Sequence, residues 1–296
     1  MLNLIAVQTE FNLKTHFILF YGFLITLFFI FVSFKNKLIM LILLSPAKIQ
    51  NFKPQNQVQE NTQSVYLKEA EKIIEELKTY SIQELAELLQ VNVNIAEQNA
   101  DRFFHWHTPF TPDNAKQALW VYNGEVYHGL DVGSMNNQEI DYAQRHLRIL
   151  SGLYGVLRPL DLIQPYRLDV SNQLSPEFGR DLYDFWKERI SREVRKTLDK
   201  TEKPEIILNL MSNEYFRTLD PSILKARIID VEFLQYQPHT DRFKPIVIYI
   251  KKARGRMARF VIHHEINDPE SLKAFSEEGY WYNEQLSTDN KLVFVR

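Results

Sequence analysis

The strongest chemical pattern in the chain is a run of positive charge near its C-terminal end, although 35 Lys and Arg nearly cancel 37 Asp and Glu overall. Residues 244–264 contain no Asp or Glu, and the cations in that run are Lys244, Lys251, Lys252, Arg254, Arg256 and Arg259. The apolar segment PIVIYI precedes KARGRMARFVIHHEI, which predicts a strand that leads directly into a helix. A helix N-terminus attracts anions through its free N–H groups, and cations beside it strengthen a phosphate site. We therefore predict an anion-binding site here, the alternative being a solvated basic face.

Residues 145–169, RHLRILSGLYGVLRPLDLIQPYRLD, combine glycines, arginines and tyrosines. Gly152 and Gly155 follow a predicted helix and precede an apolar segment, which is typical of a helix-hairpin-helix element whose loop amides approach a nucleic-acid backbone. The arginines of this stretch are Arg145, Arg148, Arg158 and Arg167, and its tyrosines include Tyr154 and Tyr166. Groups that pair with phosphate and stack on bases are thus predicted to lie together. The alternative is a glycine-capped helix end and a tight turn with surface arginines.

A third set of polar groups follows two predicted buried strands. Ser45 and Lys48 come after MLILL, and Asn209, Ser212 and Glu214 come at the end of IILN or just after it. Ligands of α/β sheets bind at the carboxyl ends of strands, so these side chains and the basic helix also favour an alternative function, an enzyme acting on a phosphorylated or nucleotide-like small molecule. No nucleophile and base are identifiable from their spacing, so we expect a binding protein rather than an enzyme.

Composition excludes several kinds of redox and metal chemistry. The chain has no cysteine, which excludes disulfides, thiolate zinc sites, cysteine-ligated iron–sulfur clusters and thiol-based peroxide chemistry. His105 and His107 form one histidine cluster, and His263 and His264 form another beside Glu265. Neither cluster has the i, i+4 spacing of a helical metal site. We predict no metal site and no cofactor, with direct iron sequestration by these histidines as the alternative.

The elements that must position these groups are strands mixed with helices. Amphipathic spacing predicts helices in SVYLKEAEKIIEELKTY and RDLYDFWKERISREVRKTL, and Ser81 with Glu84 predicts a capping box for another. Thr111 is predicted to cap a further helix, and Asn-Gly in WVYNGEVYHGL predicts a hairpin. Strands are also predicted in RIIDVEFLQY and in the C-terminal GYWYNEQLSTDNKLVFVR. We therefore expect a single α+β or mixed α/β domain over residues 40–296, with a mixed sheet and helices around it.

Residues 1–39 form a hydrophobic extension that raises a separate question. The eighteen residues 17–34 carry no charge, which is long enough for a membrane span. Residues 17–39 are mostly of types that A/T-only codons encode, as translated upstream DNA of an AT-rich genome would be, and Met40 offers a second start. We predict a misplaced start, the alternative being a single-span anchor with Lys35 and Lys37 on its cytoplasmic side. The domain is cytoplasmic under either interpretation, and a membrane is a partner only if residues 17–34 are translated.

Five motifs together closely resemble the YaaA family of bacterial peroxide-stress proteins: MLILLSPAK, HLRILSGLYGVLRPLDLIQPYRLD, DLYDFW, NLMSNEYF and KKARGRMARF. The resemblance covers residues 40–296 and begins at Met40. It implies a cytoplasmic protein, induced by hydrogen peroxide, that limits free intracellular iron and oxidative damage to DNA and proteins. It also implies a mixed sheet-and-helix fold with a basic cleft, a helix-hairpin-helix element and double-stranded DNA as partner, and no obligate protein partner is expected.

The resemblance also implies which residues lie at the basic cleft. By motif these are Lys48, Arg145, Arg148, Gly152, Gly155, Lys251, Lys252, Arg254 and Arg259, to which Arg158 and Arg256 are added from the charge pattern. Two segments depart from the family pattern: Met211 stands where a small residue is common, and Asp169, Val170 and Ser171 stand where Glu-Met-Gly is usual. These departures concern the details of nearby loops.

Overall fold

The structure is a computed structural model that describes residues 40–54, 58–199 and 205–296, and its centre is a mixed sheet. In chain order the strands are β1 (Met40–Leu44), β2 (Lys116–Gln117), β3 (Leu147–Ser151), β4 (Gly155–Leu157), β5 (Leu162–Ile163), β6 (Ile206–Asn209), β7 (Arg227–Gln237), β8 (Arg242–Lys244), β9 (Trp281–Tyr282) and β10 (Lys291–Val295). The main sheet has eight strands in the order β4-β3-β1-β6-β7-β10-β9, with β8 on β7, and β2 pairs separately with β5.

The middle of the sheet is parallel and buried on both faces. β1 lies between β3 and β6, with Ile42 opposite Leu147 on one side and Leu208 on the other. Every residue of β1 and β6 is buried, which explains why both strands are nearly continuous apolar runs in the sequence. β7 continues the parallel set and β10 pairs in parallel with it, whereas β4, β8 and β9 are antiparallel edges.

Helices pack against this sheet and connect its strands along the chain. The α-helices of the described residues are α1 (Leu67–Leu77), α2 (Ile82–Leu89), α3 (Val93–His105), α4 (Ala118–Val121), α5 (Glu125–Leu130), α6 (Asn137–His146), α7 (Leu182–Leu198), α8 (Asn213–Phe216), α9 (Pro221–Leu224), α10 (Val247–His263) and α11 (Pro269–Leu272). The predicted capping box is confirmed at the start of α2, where Ser81 and Glu84 satisfy each other's backbone N–H groups. The amphipathic helices predicted around α1 and α7 are confirmed as well.

The helix-hairpin-helix prediction for residues 145–169 is wrong. Helix α6 ends at His146 and continues directly into β3, which turns back through Gly152 into the antiparallel strand β4. Gly155 has φ +67°, and a Cβ atom there would lie 2.6 Å from the Trp186 ring. A Cβ atom at Gly152 would lie 2.3 Å from the Leu168 carbonyl oxygen. Both glycines therefore serve a tight β-turn packed under other chain segments.

Three further local predictions are wrong for related reasons. PIVIYI is not a strand, because α10 already begins at Val247. Asn-Gly forms no hairpin: Gly124 is the N-cap residue of α5, and its carbonyl accepts hydrogen bonds from Tyr127 and His128. Thr111 starts a turn rather than the predicted helix, since Lys116 and Gln117 pair with β5. In each case long-range packing overrides a weak local preference.

The described residues form one α+β domain around a single core, as predicted. The largest fully buried side chains include Trp186, Tyr154 and Phe233 together with all of β1. No helix of residues 40–54, 58–199 and 205–296 is long and apolar enough to cross a membrane. The predictions for residues 1–39 lie outside the described residues.

Candidate functional site

A cavity of about 380 Å³ opens at the carboxyl ends of β1 and β6. In the sheet, β3 lies on one side of β1 and β6 lies on the other. The loops that follow β1 and β6 therefore run in opposite directions above the sheet. Ligands of open α/β sheets bind in the crevice that such a change of direction creates. We call this space the strand-end cavity. Its walls are residues 45–50, 123–126 and 166–169, the start of α8, and one face of α10.

Two serines fasten the loops that form the floor of the strand-end cavity. The Ser212 backbone N–H donates to Ser45 Oγ over 3.0 Å, and the two hydroxyl oxygens lie 3.3 Å apart. Ser212 also caps the short helix α8 by accepting from the Tyr215 N–H. The Tyr127 hydroxyl donates to the Ser45 carbonyl over 2.9 Å. Both serines line the cavity, and both are engaged in holding the ends of β1 and β6 together.

An ion pair spans the wall of the cavity. Lys48 Nζ lies 2.9 Å from Asp169 Oδ2, with 61% of the Lys48 side chain exposed. The Tyr215 hydroxyl donates to the other Asp169 oxygen over 3.5 Å, and burial raises the pKa of Tyr215 well above its usual range. The nearby Glu214 accepts from the Ser171 hydroxyl over 3.4 Å. Asp169 thus places a carboxylate opposite Lys48.

Three other cations line the cavity without a carboxylate partner among the described residues: Lys251, Arg254 and Arg167. The Nε atoms of Arg167 and Arg254 are buried and have no hydrogen-bond partner in the described part of the chain. The same is true of Arg256 Nε, but that atom lies 3.7 Å from two glutamates, Glu277 and Glu278. Burial lowers the pKa of Arg254, and the charge of Asp230 acts in the opposite direction. Burial, followed by the charge of Arg167, also lowers the pKa of Arg102. Positive charge thus accumulates beside the cavity, which is an arrangement that an anion would stabilise.

A close helix crossing brings α10 to the cavity. A Cβ atom on Gly255 would lie 1.8 Å from the Val126 carbonyl oxygen, and one on Gly129 would lie 2.2 Å from the Lys252 carbonyl oxygen. Only glycines at both positions let the backbones of α10 and α5 approach so closely. Because Val126 also lines the cavity, this contact brings Lys251 and Arg254 of α10 to the cavity wall.

The other predicted cations of α10 face away from the cavity and are paired. Lys252 Nζ lies 2.6 Å from Glu278, Arg256 lies 3.7 Å from both Glu277 and Glu278, and Arg259 lies 3.1 Å from Glu139. Lys244 lies before the helix, exposed on β8. The six cations therefore do not form one surface. The lysines also lie in the second turn of α10 rather than at its first residue, so the predicted support from the helix N-terminus is weaker than expected.

Of the four arginines of the 145–169 stretch, Arg167 lines the cavity, whereas Arg145, Arg148 and Arg158 do not. Arg145 is exposed, and its Nε donates to the Asp141 carbonyl. Arg148 is buried and donates to the Leu147 carbonyl over 2.7 Å, and burial lowers its pKa to about 10. Arg158 holds the fully buried Asp161 at 2.9 Å. Each of these contacts joins residues at most four apart in the chain, so the three arginines stabilise local structure.

Asn209 and the histidine clusters also have internal partners. Asn209 donates to Asp230 over 2.7 Å and accepts from the Met211 N–H, so it lies beneath the cavity rather than in its wall. His263 Nδ1 lies 2.7 Å from Glu139, and His107 bonds to the carbonyl of His105. Among the described residues, no group of three or more His, Asp or Glu side chains is placed to hold a metal ion.

Sequence reasoning included Arg167 in a basic stretch but did not assign it to a site, and it gave no role to Asp169. The prediction that Tyr154 and Tyr166 stack on bases is wrong, because both side chains are buried in the core. The Tyr166 hydroxyl contacts Ser151 Oγ at 2.7 Å and the Tyr122 hydroxyl at 2.8 Å. Burial raises the pKa of Tyr166 to about 12, so this network stays neutral and forms a rigid floor. The signal for Arg167 and Asp169 was present in YRLD, but only the topology places that segment against Lys48.

The site thus combines unpaired cations with hydroxyl and carboxylate acceptors, which suits an anionic ligand that also carries hydrogen-bond donors. Comparison with known proteins gives the family directly. The family model described as peroxide stress protein YaaA matches residues 40–286, which is well over half of the chain and begins at the first residue of β1. The chain therefore belongs to the YaaA family of peroxide stress proteins.

Proposed function

We propose that this peroxide stress protein binds nucleic acid, and double-stranded DNA in particular, through phosphate groups held at the strand-end cavity. The observation that carries the proposal is the set of three cations, Arg167, Lys251 and Arg254, that face one cavity without a carboxylate partner among the described residues. Partly buried guanidinium groups are costly unless an anion accompanies them, and phosphate suits their planar donor geometry. The proposal places the protein with DNA in the cytoplasm.

Binding, rather than catalysis, is favoured by the state of the cavity hydroxyls. Ser45 Oγ accepts from the Ser212 N–H, and Ser212 Oγ caps α8. Within the described residues neither hydroxyl contacts a histidine or carboxylate that would serve as its base. A nucleophile requires such a base within hydrogen-bond reach. We therefore propose a ligand-binding role in preference to the enzyme considered from sequence.

The proposed protection of DNA from iron follows from counterion release, which removes iron from DNA without changing the total iron of the cell. Cations of the protein that neutralise phosphates displace the counterions condensed on DNA. Fe²⁺ would be among the displaced ions, so bound DNA would hold less iron close to its sugars and bases. Protection would then be proportional to occupancy, which is measurable as reduced nicking of a plasmid by Fe²⁺ and hydrogen peroxide. Protection that persists at a salt concentration where binding is lost would contradict this mechanism.

The direct test is duplex binding as a function of salt, with a matched pair of variants. Arg254→Gln removes a cavity cation, whereas Arg256→Gln removes a cation two residues on that faces Glu277 and Glu278. We expect Arg254→Gln alone to weaken binding and to reduce its salt dependence. Binding that does not vary with salt, or equal losses in both variants, would refute the proposal.

A further inference from the structure

We infer that the strand-end cavity receives a single unpaired nucleotide, either free as a nucleoside monophosphate or as an extrahelical nucleotide of a strand. This inference rests on the proposed function and names the part of nucleic acid that the cavity takes. Phosphate contact alone requires only a basic surface. The strand-end cavity is a recess with walls on several sides, formed by five separate chain segments.

The size of the cavity sets the first limit. Its volume of about 380 Å³ falls in the range of small-molecule sites, roughly 300–1,000 Å³. A base pair with its two backbones cannot enter such a space. One nucleotide can, so a duplex would place only phosphates at the cavity mouth unless one of its bases leaves the stack.

The wall chemistry sets the second limit. Cations are provided by Arg167, Lys251 and Arg254, whereas Glu125 and Glu214 present carboxylates to the same space. A phosphodiester backbone can place its phosphates at the cations, but it has no hydrogen-bond donor for those carboxylates. A ribose hydroxyl or an exocyclic base amine is a donor, so a whole nucleotide satisfies both kinds of group. A ligand that places phosphate at the cations and a hydrogen-bond donor at the carboxylates is a whole nucleotide rather than a phosphodiester backbone.

Apolar surface provides the third element. Ala47, Val126 and Leu168 line the cavity between the charged groups. The close contact of Gly255 with the Val126 carbonyl holds this wall against α10. A planar base has apolar faces that such a wall would cover, while its edge and sugar reach the polar groups. The same surface contributes nothing to the binding of inorganic phosphate.

The inference is tested with defined probes on the full chain. Isothermal titration compares adenosine 5′-monophosphate, adenosine and inorganic phosphate. Fluorescence anisotropy compares a fully paired duplex with a duplex of equal charge density that carries one bulged nucleotide. Val126→Phe fills the cavity without changing its charge, and Val93→Phe is the matched control because Val93 lies exposed on α3, outside the cavity.

We expect the monophosphate to bind and both adenosine and phosphate to bind much more weakly. The bulged duplex should bind about tenfold tighter than the paired one, because a base outside the stack needs no unpairing and gains contact with the pocket. Val126→Phe should abolish this preference and the monophosphate binding, and Val93→Phe should change neither.

The outcomes separate this inference from the proposed function. Equal affinity for both duplexes, with no binding of the monophosphate, would overturn the inference while leaving phosphate-backbone binding in place. Absence of salt-dependent binding to either duplex would instead overturn the proposed function. The wild-type comparison of probes is decisive on its own if Val126→Phe does not fold.

Discussion

Two adjacent lysines give the sharpest test of how this domain binds nucleic acid. Lys251 lines the cavity and makes no ion pair with a described residue, whereas Lys252 Nζ lies 2.6 Å from Glu278 on the other side of the helix. Lys251→Ala and Lys252→Ala remove the same charge from the same turn of α10. A general attraction between DNA and a basic helix would make the two variants equivalent. A site at the cavity makes them different.

The expected magnitude follows from counterion release. Each phosphate neutralised on duplex DNA contributes about 0.9 to the slope of log affinity against log salt. Loss of the Lys251 contact should therefore reduce that slope by about 0.9, so that a fourfold rise in salt costs the variant about 3.5-fold less affinity than it costs the wild type. At low salt the variant should bind about fivefold more weakly, from about 1 kcal/mol for one charge pair in water. Lys252→Ala should leave the slope unchanged.

Fluorescence anisotropy of a labelled duplex between 50 and 200 mM salt measures both the affinity at low salt and the slope of log affinity against log salt. Thermal unfolding provides the control, since an exposed lysine should change the free energy of unfolding by no more than about 0.5 kcal/mol. Equal slope changes in the two variants would refute the assignment of Lys251 to the binding site. A larger effect from Lys252 would place the DNA on the opposite side of α10.

Three further predictions concern packing, charge and pH. Gly255→Ala should destabilise the domain by about 1–3 kcal/mol in denaturant unfolding, because its Cβ would lie 1.8 Å from the Val126 carbonyl oxygen; unchanged stability would contradict the close crossing of α10 and α5. Asp169→Asn should raise duplex affinity about fivefold, because it removes a negative charge from the cavity and frees Lys48, and weaker binding by this variant would count against phosphate at that wall. Burial opposes ionisation of Glu139, but hydrogen bonds from the facing histidine, arginine and backbone outweigh it and lower the pKa of Glu139 below its ordinary 4.5. The ionised form of Glu139 therefore contributes stability above pH 4.5, and this contribution is lost as the pH falls through the lowered pKa. The free energies of unfolding of wild type and Glu139→Gln should differ most near neutral pH and converge in acid. A difference that is constant with pH would refute this assignment.

The predictable parts of the fold are those with strong local patterns. β1 and β6 were recognisable because strands buried on both faces are short apolar runs. The start of α2 was recognisable because Ser81 and Glu84 satisfy a reciprocal pair of hydrogen bonds that depends only on local spacing. PIVIYI failed because a short apolar run fits a strand and a helix equally well, and packing of α10 against α5 decided for the helix.

The candidate site was predictable only in part. Ser45, Lys48, Ser212 and Glu214 were expected near one another because they follow two neighbouring parallel strands, and all four line the cavity. The stretch around Gly152 and Gly155 was misread, since a helix followed by glycines is shared by helix-hairpin-helix elements and by the β-turn found here. What separates these two structures is the pairing of β3 with β4, which the local sequence does not encode.

The sequence by itself determined the absence of thiol chemistry, the one-signed charge of residues 244–264 and the motifs that the family shares. Only the tertiary structure decided which of those charges are free to act. Lys251 and Lys252 are identical in type and adjacent in the chain. Lys252 nevertheless pairs with Glu278, which is far away in the sequence, whereas Lys251 lines the cavity. The physical reason is that pairing depends on separation in space, and a helix turns neighbouring side chains about 100° apart, toward different surroundings.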